Sequence, residues 1–167
     1  MKDLNPTGLL LWDDFAPGQS WTFGDYAVTE AEIIDFANRY DPLPMHLDRD
    51  RARDTPLGIF CASGIHTFAI GQRLLVDNLY IRCRLIAGGQ MKHFRMHRPV
   101  EPGDRLSMKI DVLATTPHSR RPDAGWIDFW IETRGTGGDT VLEYEVRVLF
   151  GRALPEAAPV NQGSPAS

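Results

Sequence analysis

The spacing of apolar positions changes along the chain, and the change separates helical from strand-forming parts. Residues 21–28 alternate between apolar and polar side chains, which predicts a strand. Apolar residues in 33–40 recur with the spacing of one helix face, which predicts a helix. The pair Asp41-Pro42 ends this helix, because proline pushes the residue before it out of the α region.

The second half combines one long helix with a series of strands. Residues 62–76 predict a helix that is apolar on most faces, so other structure must surround it. Downstream of this helix, apolar residues recur at every second position. This period predicts strands at 79–87, 91–98, 105–114, 125–133 and 140–150. This order indicates an α+β fold, a single domain with a curved antiparallel sheet wrapped around a long central helix.

Composition narrows the class of protein. The chain has 167 residues, of which 43% are hydrophobic and 24% charged, as expected for one globular domain. A net charge of −4 argues against nucleic acid as a partner, and no apolar run reaches the ~20 residues of a membrane helix. Cys61 and Cys83 fit no disulfide framework or zinc spacing, so a cytoplasmic location is expected. We expect a loosely ordered segment at 1–12, the domain at 13–152 and a disordered tail at 153–167.

Asp41 and His46 are the strongest candidates for chemistry. They lie five positions apart across Pro42 and Pro44, just after the first predicted helix. A loop stiffened by two prolines holds a carboxylate and an imidazole in nearly fixed relation. This favours an acid/base pair that positions one water molecule. The alternatives are an Asx-turn for Asp41 and a hydrogen-bonded loop residue for His46.

Three motifs of the chain resemble those of the MaoC-like acyl dehydratases, a family that includes (R)-specific enoyl-CoA hydratases and has the hot dog fold. The hydratase signature of that family is matched by Tyr40-Asp41-Pro42-Leu43-Pro44-Met45-His46, followed by Asp48 and Ala52. The entry to its central helix is matched by Cys61-Ala62-Ser63-Gly64, and a turn between its strands by Pro99-Val100-Glu101-Pro102-Gly103-Asp104. With a similar opening around Phe15–Gln19, the resemblance covers residues 13–150 and implies a hot dog domain.

The resemblance also implies a reaction and roles for individual residues. Such hydratases add water reversibly across the double bond of a 2-enoyl-CoA, and the acyl-CoA substrate binds at the interface of a homodimer. Asp41 and His46 would hold the water, and the backbone N–H of Gly64 would stabilise the enolate oxygen of the thioester. Gly64 could instead serve tight helix packing. No metal or redox cofactor is expected.

Further residues are candidates for contacts with the substrate. Ser63 is either the N-cap of the central helix or a contact to the loop of Asp41, and Gln72 could reach Asp41 from the same helix. Arg95 and Arg98 could contact the CoA phosphates, although solvated surface charge is the alternative for each. A metal site at His93 and His97 is disfavoured, because no third ligand has a suitable spacing.

Two other functions remain open from the sequence. A hot dog thioesterase often carries its catalytic acid in the central helix, but residues 64–76 contain neither Asp nor Glu. A catalytically silent acyl-CoA-binding or partner subunit is the other alternative. It is kept open by Leu43, which stands where the family commonly has Asn or Gln and cannot form the hydrogen bonds of an amide.

Overall fold

The computed structural model describes residues 8–153. Residues 1–7 of the segment predicted to be loose and residues 154–167 of the predicted tail therefore lie outside the described residues. Leu10 is attached to the domain: its N–H donates to the carbonyl of Arg82 (2.6 Å), and its own carbonyl accepts from Arg84 (2.8 Å).

The elements follow one another in the predicted order of strand, helices and strands. The helices are α1 (Glu30–Tyr40), α2 (Pro44–Leu47), α3 (Arg49–Arg53) and α4 (Gly64–Asn78). The strands are β1 (Ser20–Ala27), β2 (Leu85–Met96), β3 (Arg105–Pro117), β4 (Ala124–Arg134) and β5 (Thr140–Gly151). Short 3₁₀ helices occur at Trp12–Asp14 and Tyr80–Arg82. Among the described helices, none is both long and apolar enough to span a membrane.

The five strands form one antiparallel sheet in the order β1-β3-β4-β5-β2. Ile110, Ile131 and Tyr144 lie side by side on neighbouring strands, and each is at most 1% exposed. They belong to the same core as Ile70 and Leu75 of α4. The apolar positions of α4 that predicted a surrounded helix are thus buried by the sheet. The α+β hot dog architecture expected from the sequence is confirmed.

The predicted strands at 79–87 and 91–98 are wrong as two separate elements. Residues 79–82 end α4 and form a 3₁₀ turn, and a single strand, β2, then runs from Leu85 to Met96. Gly88 and Gly89 lie inside this strand, where its register against β5 is irregular. A Cβ at Gly89 would lie 2.6 Å from the Trp126 ring, so the glycine permits close packing and does not mark a turn.

Candidate active site

Asp41 and His46 are positioned by the ends of two helices. Asp41 is the C-cap of α1, where its N–H donates to the carbonyl of Ala37 (3.0 Å). His46 lies in α2, which begins at Pro44. The stretch expected to be a proline-stiffened loop is therefore partly helical, since the fixed φ of proline favours the first position of a helix.

The two side chains face each other. Nε2 of His46 lies 3.6 Å from Oδ2 of Asp41, which is longer than a normal hydrogen bond. The carboxylate is 32% exposed and the imidazole 9%, so the pair lies at the border between the interior and solvent. This arrangement allows a small third molecule to contact both groups.

The backbone around Cys61 determines which nitrogen of His46 can act as a base. Nδ1 of His46 lies 2.8 Å from the carbonyl oxygen of Cys61, and a carbonyl can only accept a hydrogen bond. In the neutral ring, Nδ1 therefore holds the proton, and Nε2 has a free lone pair on the side of Asp41. The N–H of Cys61 also donates to the carbonyl of Met45 (3.0 Å), which ties the two segments together.

The thiol of Cys61 lies beside the same imidazole but is poorly suited to act as a nucleophile. Its Sγ is 3.9 Å from Nδ1 of His46. Burial raises the pKa of the Cys61 thiol to about 11, so the thiol stays protonated at neutral pH. Because the thiolate is the nucleophilic form, the geometry favours His46 as the reactive group here.

Ser63 fulfils both of the roles considered from the sequence. Its Oγ donates to Oδ2 of Asp41 (2.6 Å) and accepts from the N–H of Ile65 (3.3 Å), which makes it the N-cap of α4. The side chain is 1% exposed. One hydroxyl thus joins the start of the central helix to the carboxylate of Asp41.

We predict that Ser63→Ala lowers the free energy of unfolding by about 0.5–2 kcal/mol, the usual effect of losing a helix N-cap. The kcat should fall as well, because Asp41 loses the donor that orients its carboxylate. Urea unfolding and steady-state kinetics check the two effects. Thr29→Ala, which removes the N-cap of α1, is the matched control and should change stability alone. An unchanged kcat in Ser63→Ala would contradict this link.

A cavity of about 280 Å³, here called the dyad cavity, lies beside the imidazole of His46 and includes the start of α4. Asp41 is not among its lining residues, so the cavity meets the pair on the His46 side. Gly64 is the first residue of α4, so its N–H has no acceptor within the helix. A Cβ on Gly64 would overlap the sulfur of Met96 and lie 2.5 Å from its methyl carbon. The glycine therefore serves close packing against Met96, and Gly64 lines the same cavity as His46. The residues lining this cavity include His46, Leu57, Gly64, Thr67, Met96 and Val100.

Gln72 and Arg95 are not among the residues that line the dyad cavity. Gln72 lines a second cavity, between α4 and β2. Arg95 lines a third, together with Trp130 and Glu143. Within the described chain, these two predicted substrate contacts are thus separate from Asp41 and His46.

Arg98 lines the dyad cavity, but acidic partners hold its guanidinium. It donates to Asp139 (2.5 Å), to Asp104 (2.8 and 3.4 Å) and to the carbonyl of Pro99 (2.8 Å). Burial alone would raise the pKa of Asp104, but the hydrogen bonds from Arg98 and from the Glu101 N–H outweigh it and keep that pKa below its usual value. The hydrogen bond from Arg98 likewise lowers the pKa of Asp139. Arg98 therefore stabilises the turns that border the cavity.

Several contacts of the site were missed by reasoning from the sequence. The Cys61 carbonyl that orients His46 has no signal in the side-chain pattern. Met96 has no readable signal either, because every residue of its strand is exposed and the two-residue period there is weak. The two other imidazoles considered for metal each face a glutamate: His97 faces Glu143 (3.0 Å) and His93 faces Glu145 (3.7 Å). Within residues 8–153, no group of three or more His, Cys, Asp or Glu is arranged to hold a metal ion.

Known proteins with similar sequences and structures cover most of this chain. An uncharacterised protein of Bacillus subtilis (strain 168), YdeM, is 31% identical over 140 residues, which are 84% of this chain and 98% of that protein. The MaoC-like dehydratase of Rhodospirillum rubrum is 35% identical and superposes with a TM-score of 0.80 over 87% of this chain and 99% of that one. The (R)-hydratase PhaJ1 of Pseudomonas aeruginosa, 20% identical, shares the fold with a TM-score of 0.64 over 92% and 96% of the two chains.

The family model described as "MaoC like domain" matches residues 14–123, about two thirds of the sequence. The match includes Asp41, His46, Ser63 and Gly64, and the superposed dehydratase covers nearly the whole folded domain. The chain therefore belongs to the MaoC-like domain family.

Proposed function

We propose that this protein is an acyl-CoA dehydratase of the (R)-specific enoyl-CoA hydratase type, which adds or removes water across the 2,3 double bond of an acyl thioester. The observation that carries the proposal is the pairing of Asp41 with the unprotonated Nε2 of His46, 3.6 Å apart, beside a cavity that contains Gly64. Similarity to a MaoC-like dehydratase supports the reaction class.

In the proposed hydration, Nε2 of His46 takes a proton from a water bound between the two side chains. The water oxygen forms a bond to C3 of the enoyl group, and the π electrons of the double bond move onto the thioester oxygen. The protonated His46 then returns a proton to C2, which completes the addition. Oδ2 of Asp41, the oxygen nearest to Nε2 of His46, accepts from Ser63 and has a second lone pair with which it can accept from the water.

The start of α4 is proposed to stabilise the charge on the thioester oxygen. The N–H of Gly64 belongs to the positive end of the helix dipole and is fixed by the Ser63 cap. A preorganised donor of this kind typically contributes about 2.7–4 kcal/mol of transition-state stabilisation. Acid–base chemistry of this form draws on no metal or redox cofactor, and we propose none.

We further propose that the protein acts as a homodimer whose interface includes β2. This strand is the last in the sheet order, so its outer edge has no strand partner among the described residues, and all twelve of its residues are exposed. Exposed apolar side chains on and beside it include Ile81, Leu85, Ile86, Met91, Phe94 and Met96. Long apolar edges are usually covered, and a second copy would cover this one. Sedimentation of the purified protein as a monomer would contradict the proposal.

A thioesterase is the second enzymatic candidate, and α4 argues against it. The acid of this helix, Asp77, lies in its last turn and pairs with Arg73 (2.6 Å). A silent acyl-CoA-binding subunit is the other candidate, since Leu43 remains a departure from the hydratase signature. Leu43 is exposed, and its carbonyl accepts from the backbone N–H of His46 (2.9 Å), so this contact to His46 does not depend on the side chain at position 43.

One assay with trans-2-enoyl-CoA separates the three functions. Loss of the ultraviolet absorbance of the conjugated thioester reports hydration, release of free thiol reports hydrolysis, and binding without turnover reports a silent module. We expect hydration without thiol release. Thiol release or binding alone would overturn the proposal.

A further inference from the structure

The end of α1 and the start of α4 are joined by a hydrogen bond and by a contact between two rings. The hydrogen bond runs from the Ser63 hydroxyl to Oδ2 of Asp41 (2.6 Å). Three residues further along α4, the imidazole of His66 is stacked on the ring of Phe36. The ring centroids are 4.6 Å apart and the ring planes differ by 9°, so the two rings lie face to face. Residues three apart on a helix lie on one face, and here that face of α4 is turned towards α1.

The Phe36 ring connects this stack to the acid of the site. It packs on the ring of Tyr40, with centroids 5.0 Å apart, and Tyr40 directly precedes Asp41 in the chain. Phe36 and Tyr40 are four residues apart, the spacing at which side chains support each other on a helix. The stack on His66 therefore bears on the turn of α1 that ends at the carboxylate of Asp41.

The imidazole of His66 is buried, and in the folded protein it is neutral at neutral pH. The residue is 6% exposed, and its Nδ1 is buried without a hydrogen-bond partner among the described residues. Burial lowers the pKa of His66 below its ordinary value, although the charge of Glu32 acts in the opposite direction. A neutral ring can stack on Phe36 without leaving a charge in the interior.

The charged group that acts on His66 from α1 is Glu32. Oε2 of Glu32 accepts from the Tyr26 hydroxyl of β1 (3.0 Å), and its Oε1 is buried without a partner among the described residues. Arg73 of α4 lies near Tyr26 and forms an ion pair with Asp77 (2.6 Å). Nδ1 of His66 is bonded to none of these groups, so a proton there would place a charge in the interior without a direct partner.

We propose that His66 is a positioning residue for the reaction: its neutral ring, stacked on Phe36, holds the end of α1 against the start of α4 and so keeps the carboxylate of Asp41 in place. The inference rests on the proposed hydratase function and adds a residue to it. His66 is not among the residues that line the dyad cavity, so it acts on the reaction through Asp41. A small displacement of a catalytic group is enough to slow a reaction strongly.

The first test removes either ring of the stack. His66→Ala should lower kcat for hydration about 10- to 100-fold, the loss typical of a displaced catalytic group, while KM changes little. Phe36→Ala removes the other ring and should have the same effect. His66→Phe keeps an aromatic ring against Phe36 and should retain most of the kcat of wild type. Steady-state kinetics with a 2-enoyl-CoA measures these changes, and an equal loss in His66→Phe and His66→Ala would contradict the role of the stack.

A double-variant cycle distinguishes positioning from a general loss of stability. In the Asp41→Ala background, His66→Ala should cause little further loss of kcat, because the carboxylate that the ring positions is already absent. Leu74→Ala is the matched control, since it truncates a buried side chain about two turns further along α4 that packs against Gly24 of β1. It should lower the melting temperature and leave kcat unchanged. An equal loss of kcat with and without Asp41, or a similar loss in Leu74→Ala, would overturn the inference.

The neutral state of the ring is tested by stability. Because the pKa of His66 is lowered in the folded protein, the unfolded chain binds a proton there more readily, and wild type should lose stability as pH falls below the unfolded value of about 6.5. His66→Phe lacks this group. The difference in the free energy of unfolding between His66→Phe and wild type should thus be constant above about pH 7 and grow in favour of the variant at lower pH. Urea unfolding across pH measures it, and a difference independent of pH would contradict a neutral stacked ring.

Failure of the proposed function is recognised separately, because wild type would then hydrate no enoyl thioester. In that case native-state hydrogen exchange replaces the rates. The backbone N–H of Asp41 donates to the carbonyl of Ala37 (3.0 Å), and its exchange reports how firmly the last turn of α1 is held. Faster exchange in His66→Ala, but not in His66→Phe or Leu74→Ala, would support the positioning of α1. Unchanged exchange in His66→Ala would overturn it.

Discussion

The variant His46→Ala is expected to hydrate enoyl thioesters about 10²–10⁴-fold more slowly than wild type, the usual contribution of a positioned general base. Alanine removes the Nε2 lone pair that faces Asp41 and cannot replace it with another base. Because the neutral ring already has its proton on Nδ1, wild type needs no change of tautomer before reaction. Steady-state kinetics with a 2-enoyl-CoA measures the loss.

The same experiment can show whether the two side chains act as one unit. If Asp41 and His46 hold a shared water, the double variant Asp41→Ala/His46→Ala should be scarcely slower than either single variant, because groups that act together are strongly non-additive. His118→Ala is the matched control, since His118 is a half-buried imidazole that follows the last residue of β3 and stacks on Trp126. Wild-type turnover in both single variants would mean that the catalytic assignment is wrong.

Arg98→Ala should lower the free energy of unfolding by about 1.5–3 kcal/mol, the scale of a charged hydrogen bond, because it leaves Asp104 and Asp139 without their shared cation. Partial exposure of the guanidinium limits the effect to this scale. Denaturant unfolding measures it. Affinity for the CoA nucleotide should change little, so the ratio of KM for a pantetheine thioester to KM for the CoA thioester should stay as in wild type.

The effect of Arg98 on stability should depend on pH in a definite direction. The pKa values of Asp104 and Asp139 are lowered in the folded protein, so their contribution is present above the unfolded value of about 3.9 and is lost as pH falls through the folded values. The difference in the free energy of unfolding between wild type and Arg98→Ala should thus be largest above about pH 5 and shrink below pH 4. A gap that is constant with pH, or a KM ratio that falls, would contradict a structural role and favour a phosphate contact. Arg95→Ala, which leaves this ion-pair network intact, is the comparison variant.

The fold was accessible from the sequence because its main elements bury regular stripes of apolar residues. α4 and the strands β3, β4 and β5 each repeat one period over at least eleven residues, and their bounds differ from prediction by only a few positions. The error fell on β2, where every residue is exposed and two glycines interrupt the period. A strand with neither face buried within its own chain has a weak alternation of apolar and polar residues. Such a weak alternation predicts two short strands in place of one long strand.

The candidate site was predictable only where a side chain itself carries the chemistry. Asp41, His46 and Gly64 stand in a motif whose spacing is local. The carbonyl of Cys61 and the sulfur of Met96 reach the site through tertiary packing, which the order of residues does not encode in a readable form. Arg98 shows the converse, because a basic residue next to a predicted turn suggested a phosphate contact and its partners proved to be two aspartates.

The segment between α2 and α4 is held at both ends by hydrogen bonds of the site, whereas the tip of the segment lies outside those bonds. The bonds from Cys61 to Met45 and from Ser63 to Asp41 close a loop whose tip includes the turn at Thr55 and Gly58. Leu57, on that tip, is 44% exposed and lines the dyad cavity. Length and sequence changes at this tip can therefore remodel the cavity entrance while the acid and the base keep their places, which makes it a natural position for engineering or evolutionary change of specificity.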